Sequence, residues 1–116
     1  MIEMKERIQC AAVWVDTGKA DPPRRSFSYP KTGLMFCGWR HGDCFTNMFA
    51  WADLLPPDER ERIGYHQGFM TSTGRFVNRA EAVPIAQNAD QMYGRSSNDW
   101  KRTSPEFTCL TSEDIY

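Results

Sequence analysis

The sequence has no long hydrophobic run and no surplus of either charge. No apolar stretch approaches the roughly 18 residues that a helix needs to cross a bilayer. Residues 1–7 lack the apolar segment of a secretory signal, so we expect the protein to stay in the cytoplasm in which it is made. Lys and Arg number 14 against 15 Asp and Glu. This balance argues against a general nucleic-acid binder, although a local basic pocket for a small phosphorylated ligand remains compatible with it.

Cysteine is scarce, and its spacing does not favour a metal site. Structural zinc takes ligands from closely spaced pairs, whereas the gap from Cys37 to Cys44, with His41 between them, is too wide and no second pair exists. We therefore expect no metal and no cofactor. Without a secretion signal, the sequence predicts buried free thiols rather than disulfides. The four positions are Cys10, Cys37, Cys44 and Cys109.

The familiar catalytic motifs are also absent. The chain has two histidines and contains no P-loop, no nucleophile elbow and no metalloprotease helix motif. Cys44 could pair with His41 at a helix start, where a thiol pKa is lowered. No third group can be named to orient the pair, and Cys44 looks like a packing residue. We expect a binding protein, with a weak hydrolase that uses Cys44 or His66 as the lesser alternative.

The length of 116 residues fits one domain spanning residues 1–116. The apolar run Ile8–Val15 predicts a strand, and Leu34–Trp39 predicts a second strand that pairs with it. Between them the composition turns proline-rich, which predicts a surface loop over residues 19–32. The run Phe107–Leu110 predicts a last strand, after a loop over residues 93–105.

Apolar residues at helical spacing predict a first helix that Asp43 caps and Pro56 ends. Its expected inner face is Phe45, Met48, Phe49, Ala52 and Leu55, and residues 58–62 read as a solvated turn. A hairpin with Gly74 in its turn follows. Asn78 and Glu81 then form a capping box for a second helix. Pro84 lies too far inside for a first-turn proline, so the helix either starts later than the box indicates or is kinked there. Its expected apolar stripe is Ala82, Ile85, Ala86 and Ala89. The sequence therefore predicts an α+β fold: a small antiparallel β-sheet with two main α-helices in a single domain.

Two segments could bind a ligand, and each also has a purely structural interpretation. Arg40 and His41 precede Gly42 and Asp43 at a helix N-terminus, which suits a phosphate group. Equally, Asp43 could cap the helix while Arg40 is solvated and His41 packs. In the hairpin, Phe69 or Phe76 could stack on a purine, with Thr71 or Ser72 reading its polar edge. Alternatively both rings belong to the core. Arg79 opens the second helix, an unfavourable place for a cation that a nearby bound anion would explain.

Taken together, these segments resemble a known family. An Ala-Ala-Val strand (Ala11–Val13) precedes Arg40-His41-Gly42-Asp43-Cys44; the block 67–79, an alanine-rich helix and a Leu-Thr-Ser-Glu-Asp-Ile-Tyr ending (110–116) follow. This order resembles the first-described type of bacteriophage Thoeris anti-defence protein. Those proteins are sponges that sequester cyclic ADP-ribose signals of a bacterial immune system. The matching blocks cover about half of the chain and span it from start to end.

The resemblance implies an α+β protomer that forms a homodimer or larger homo-oligomer, with the nucleotide near the interface between chains. It implies a cytoplasmic protein of the infected bacterial host that binds a small cyclic nucleotide, and neither nucleic acid nor a membrane. Some relatives also bind cyclic di- or trinucleotides. We assign base stacking to Phe69 or Phe76, the diphosphate to Arg40, Arg75 or Arg79, and a ribose hydroxyl to Asp114. The full predicted ligand set is Arg40, His41, Phe69, Thr71, Ser72, Arg75, Phe76, Asn78, Arg79, Glu113 and Asp114.

Three features depart from the family pattern: the 19–32 excursion and the Pro56-Pro57 junction are longer, and Pro84 interrupts a helix that is regular in relatives. An alternative function of another class is a phage inhibitor that docks onto a host protein. Trp39, Phe49 and Trp51 would then be its exposed anchors.

Overall fold

A four-stranded antiparallel sheet forms the centre of the fold. The computed structural model describes residues 5–20, 32–94 and 99–115. The strands are β1 (Ile8–Ala20), β2 (Thr32–Gly38), β3 (Gly64–Thr71) and β4 (Phe76–Asn78), in the order β2-β1-β3-β4. The helices are α1 (His41–Ala52), α2 (Pro57–Arg60), α3 (Arg79–Asn88) and α4 (Asp99–Thr103), and a 3-10 turn spans Ser112–Asp114. The predicted α+β class is confirmed.

The two longer helices pack on one face of this sheet. Strand register places Ala11 opposite Phe69, and Phe69 opposite Val77, so these side chains share one face. All three are fully buried. Against them lie Cys44 and Met48 of α1 and Ala82, Val83 and Ala86 of α3. Both helices therefore begin next to the central strands, and this arrangement positions the candidate site.

Local sequence signals predicted several of these elements correctly. β1 pairs with β2 as expected, with Ala12 opposite Cys37. Gly74 has φ = +83° in the hairpin turn. The Asn78 side chain accepts from the N–H of Glu81, and the Glu81 carboxylate accepts from the N–H of Asn78, so the capping box is confirmed.

The start of α1 corrects one prediction. The helix begins at His41, with Arg40 rather than Asp43 at the cap. Asp43 instead lies in the first turn, where its carboxylate accepts from the Arg40 N–H at 3.1 Å. The inner face shifts accordingly, and Phe49 is 57% exposed. The residues buried on α1 are His41, Cys44, Met48 and Ala52.

Other corrections concern the type or the bounds of further segments. Residues 57–60 form α2, and the Arg60 side chain donates to the carbonyl of Ala52, near the end of α1. α4 lies inside the predicted loop 93–105, and residues 107–110 form no strand. The predicted surface loop is cut short at both ends, because residues 19–20 belong to β1 and Thr32 to β2; residues 21–31 lie outside the described residues.

The four cysteines differ in exposure, so the prediction of uniformly buried thiols is wrong. None of the four forms a disulfide; only Cys44 is buried, Cys10 is half-buried, and Cys37 and Cys109 are exposed. Burial raises the pKa of the Cys44 thiol to about 11, which disfavours the thiolate that a nucleophile requires. Among the described residues, no group of three or more His, Cys, Asp or Glu could hold a metal ion. No helix in the same residues is long and apolar enough to cross a membrane.

Candidate ligand-binding corner

Arg40, His41, Arg79, Ser112 and Glu113 form what we call the corner, where α1, α3 and the C-terminal 3-10 turn meet. His41 occupies its centre and is 8% exposed. Its Nε2 lies 2.7 Å from the carbonyl oxygen of Gly68, and its ring meets Phe69 edge-on at 4.9 Å. The backbone N–H of His41 donates to Ser112 Oγ at 3.5 Å. His41 thus links α1 to β3 and to the C-terminal turn.

Arg79 fixes the other helix start to the C-terminal segment. Its Nε donates to the Leu110 carbonyl at 3.1 Å, and the Leu110 N–H donates to the Arg79 carbonyl at 3.0 Å. Arg79 also lies close enough to His41 to interact with it electrostatically. The reciprocal pair of hydrogen bonds explains why residues 107–110 do not add to the sheet. Their backbone is tethered at Leu110 to α3.

Charge in the corner is mixed rather than uniformly positive. Arg40 Nη1 lies 3.8 Å from Glu113 Oε1, and the two side chains are 28% and 47% exposed. Gly42, in the first turn of α1, is exposed, and a Cβ added there would meet nothing within 4 Å. The first turn of a helix attracts anions through its unpaired N–H groups and its dipole. Arg40 caps α1 and Arg79 opens α3, so each adds a guanidinium group at a helix start.

The ionisation of His41 follows from its surroundings. Burial lowers the pKa of His41, and the positive charge of Arg79 lowers it further. The hydrogen bond to Gly68 and the negative charge of Glu113 act in the opposite direction. The net shift is downward, so the imidazole is neutral at physiological pH.

Asp114 has a different role from the one predicted. Its side chain is 1% exposed. Oδ2 accepts from the N–H and the hydroxyl of Thr111 at 2.9 and 3.0 Å, and Oδ1 accepts from Lys101 Nζ at 3.1 Å. With both oxygens engaged inside the protein, Asp114 anchors the C-terminal turn. A ribose hydroxyl would have to compete with Thr111 and Lys101 for these oxygens.

The two phenylalanines lie on opposite faces of the sheet. Phe69 is fully buried beneath the helices, so its ring has no exposed face here on which a base could stack. Phe76 is opposite Met70 and therefore points away from the core face. Its ring lies 6.4 Å from Trp14, which in turn stacks on His66 at 5.0 Å. Sequence reasoning missed Trp14 and named His66 only as a candidate hydrolase residue. The signal that could have paired them was their alternation with buried neighbours along β1 and β3.

Thr71, Ser72 and Arg75 lie at the hairpin turn, where they bind the N-terminal segment. Arg75 donates twice to the Glu6 carboxylate, at 2.7 and 2.6 Å, and the Thr71 hydroxyl donates to it at 2.6 Å. Ser72 exchanges hydrogen bonds with the backbone of Arg7. The structure thus brings Arg40, His41, Arg79 and Glu113 together, and gives Thr71, Ser72 and Arg75 other partners. Asn78, the α3 cap, immediately precedes Arg79.

The contacts of Glu6 predict how stability depends on pH. The Arg75 hydrogen bond, helped by Thr71 and Thr73, lowers the pKa of Glu6 from 4.5 to about 2. A carboxyl whose folded pKa is depressed stabilises the fold above its unfolded pKa, and that stabilisation disappears as pH falls from 4.5 towards 2. Glu6→Gln should therefore cost about 1 kcal/mol at pH 7, a modest value because water screens the 42% exposed Arg75. Urea unfolding of the two proteins at pH 7 and near pH 2 measures this difference in the free energy of unfolding.

Glu61→Gln, which changes an exposed carboxyl in the same way, is the control. The difference between Glu6→Gln and the unsubstituted protein should vanish near pH 2. An equal difference at pH 7 and pH 2 would contradict a role for the Glu6 charge.

A separate cleft of about 330 Å³ is lined by Lys5, Arg7 and residues 88–90. None of the predicted ligand residues lines it. It lies at the C-terminal end of α3, where the helix dipole disfavours an anion. We therefore place the candidate site at the corner.

Comparison with known proteins gives one family. The family model described as phage T4 y16D protein matches residues 7–116, almost the whole chain. No curated protein and no solved structure matches.

Proposed function

The chain belongs to the phage T4 y16D protein family, and on that premise we propose that it is an anti-defence sponge. It binds a cyclic ADP-ribose-type immune signal in the cytoplasm of the infected bacterium and sequesters it without cleaving it. The observation that supports this most is the convergence of Arg40, His41 and Arg79 where α1 and α3 begin. The ligand class comes from the resemblance of the order of sequence blocks to that of the Thoeris anti-defence proteins.

The chemistry of the corner fits such a ligand. Guanidinium groups bind phosphate oxygens in pairs, and the first turn of α1 offers backbone N–H groups beside them. The hydrogen bonds of His41 and Leu110 already fix the helix starts and the C-terminal turn relative to one another. Binding a stiff cyclic ligand to groups that are already ordered loses little entropy, which favours tight capture. A sponge needs this affinity and no nucleophile.

Release of the ligand after denaturation tests the proposal. Each cyclic ADP-ribose isomer is incubated with a stoichiometric excess of protein, the protein is heat-denatured, and the supernatant is analysed by mass spectrometry. We expect one isomer to disappear from the free pool before heating and to return intact afterwards. Recovery of linear ADP-ribose would instead indicate a hydrolase. Parallel titration with cyclic di- and trinucleotides tests the additional ligands that the resemblance implies.

We further propose that the protein is a homodimer or a larger homo-oligomer. Phe49 and Tyr65 are 57% and 48% exposed, and the ring of Phe45 contacts both, at 6.0 and 5.3 Å. Contiguous exposed aromatic surface of this kind is typical of protein interfaces. It is the part of the described surface that we expect a second copy to cover.

Phe49→Glu should therefore shift the protein towards the monomer. A charge placed in an apolar interface costs several kcal/mol on association, about a 100-fold weakening or more. Light scattering after gel filtration measures the mass. Asn47→Glu, which adds the same charge at an exposed position of α1, should leave it unchanged. If the unsubstituted protein has the mass of a monomer, the proposed oligomer is refuted.

A second candidate function is inhibition of a host protein by docking. The exposure of Trp39 (63%) and Phe49 (57%) favours it, since both are large enough to anchor an interface. Trp51, the third predicted anchor, is instead half-buried and contacts Phe36 at 5.7 Å. Purification from infected cells separates the two functions. A sponge carries a small molecule, whereas a docking inhibitor carries a stoichiometric host protein and no nucleotide.

A further inference from the structure

The contacts of His41 specify which of its ring nitrogens carries the proton. Nε2 lies 2.7 Å from the Gly68 carbonyl oxygen, which can only accept a hydrogen bond. Nε2 must therefore be the N–H donor. In a neutral imidazole the other nitrogen, Nδ1, then has a lone pair and no proton. Among the residues that the structure describes, no hydrogen bond to this Nδ1 is found.

The position of Nδ1 places this lone pair in the corner as a hydrogen-bond acceptor. His41 lies in the first turn of α1, close enough to Arg79 and to Glu113 to interact electrostatically with both. Its ring is held by the edge contact with Phe69, so it cannot turn away without losing both that contact and the bond to Gly68. A neutral acceptor is thus fixed within a corner that also contains two donors, Arg40 and Arg79, and the carboxylate of Glu113, which lies 3.8 Å from Arg40 Nη1.

We propose that neutral His41 accepts a hydrogen bond, through Nδ1, from a ribose hydroxyl of the ligand. This rests on the proposed function and sharpens it: the arginines bind the diphosphate, and His41 selects for a free hydroxyl beside it. The role once assigned to Asp114 passes to His41. A phosphate cannot replace the hydroxyl at this position, because a phosphate oxygen and a bare Nδ1 are both acceptors.

Two substitutions separate the two nitrogens. His41→Gln keeps an N–H donor at the reach of Nε2 and removes the Nδ1 acceptor, whereas His41→Asn keeps an acceptor near Nδ1 and loses the bond to Gly68. We expect His41→Gln to lower the melting temperature only slightly, through loss of the ring contact with Phe69. It should bind the cyclic ADP-ribose isomer about 10-fold more weakly, the usual effect of losing one buried hydrogen bond. His41→Asn should lose stability instead. His66→Gln, on the other sheet face, is the control.

A cycle with modified ligands identifies the hydroxyl. Affinities of the unsubstituted protein and of His41→Gln are measured for the cyclic ADP-ribose isomer and for derivatives that each lack one ribose hydroxyl. For one derivative, the loss of affinity caused by His41→Gln and the loss caused by the missing hydroxyl should not add. The protein change and the ligand change would then remove the same hydrogen bond. Additive losses for every derivative would overturn the proposal.

Nitrogen NMR of the ligand-free protein gives a readout that does not depend on the ligand. Long-range proton–nitrogen spectra should show His41 as the neutral tautomer with its proton on Nε2. A proton on Nδ1 would overturn this inference and leave the sponge intact. Failure of the unsubstituted protein to bind any cyclic ADP-ribose isomer would overturn the sponge and with it the ligand assigned to Nδ1, even if the tautomer is as expected.

Discussion

Arg79→Ala is expected to weaken binding of the cyclic ADP-ribose isomer by about 100-fold or more, since removing one partner of a buried charge pair costs roughly 2–5 kcal/mol. Arg79 stands at the start of α3 beside His41, with its backbone held by Leu110. The guanidinium group presents a planar pair of donors that matches phosphate, and an ammonium group does not. Arg79→Lys should therefore recover only part of the affinity. Isothermal titration calorimetry measures the ligand affinity of the unsubstituted protein and of both variants.

The Arg79 side chain also bonds the Leu110 carbonyl, so loss of structure must be separated from loss of binding. Circular dichroism melts of the same variants serve that purpose, because a folded variant that no longer binds isolates the ligand contact. Arg62→Ala removes the same charge from an exposed position and should bind normally. Equal weakening by Arg62→Ala and Arg79→Ala would mean that only net charge matters, contrary to a specific diphosphate contact.

Asp114→Asn should destabilise the fold by about 2–3 kcal/mol, near the lower end for breaking a buried ion pair. The amide would turn an N–H towards the Lys101 ammonium, two donors facing each other, while its oxygen serves Thr111. Lys101 is 21% exposed and can partly regain water, which limits the loss. Urea unfolding monitored by tryptophan fluorescence measures the change.

Asp58→Asn makes the identical chemical change at an exposed site and should cost less than about 0.5 kcal/mol. A similarly small effect at Asp114 would contradict its anchoring role. If Asp114→Asn instead remained stable and lost only ligand affinity, the carboxylate would be a ligand contact after all.

Features set by neighbouring residues could be predicted from the sequence. The capping box of Asn78 and Glu81 needs only a spacing of three residues, and the hairpin needs only a glycine that tolerates φ = +83° at Gly74. The start of α1 was misplaced because Asp43 has the composition of a cap, whereas the cap position is occupied by Arg40, a residue type with no capping preference.

Features set by distant residues could not be predicted. Phe69 and Phe76 look equivalent in the sequence, and only the strand register places one under the helices and the other on the opposite face. Asp114 reads as an exposed tail carboxylate until α4 supplies Lys101. The corner itself joins residues about 70 positions apart, as in the contact of His41 with Ser112, and no local pattern encodes that closure.

We propose that two helix starts, held together by the C-terminal turn, present guanidinium donors and one imidazole acceptor to the ligand in a fixed arrangement. Chemical-shift mapping tests this most directly. Labelled protein is titrated with the cyclic ADP-ribose isomer, and the amide signals are followed. We expect saturable shifts at Gly42, Arg79 and Glu113, and unchanged signals at the hairpin turn around Thr73. Shifts confined to the hairpin turn, or to the face bearing Trp14, would contradict it.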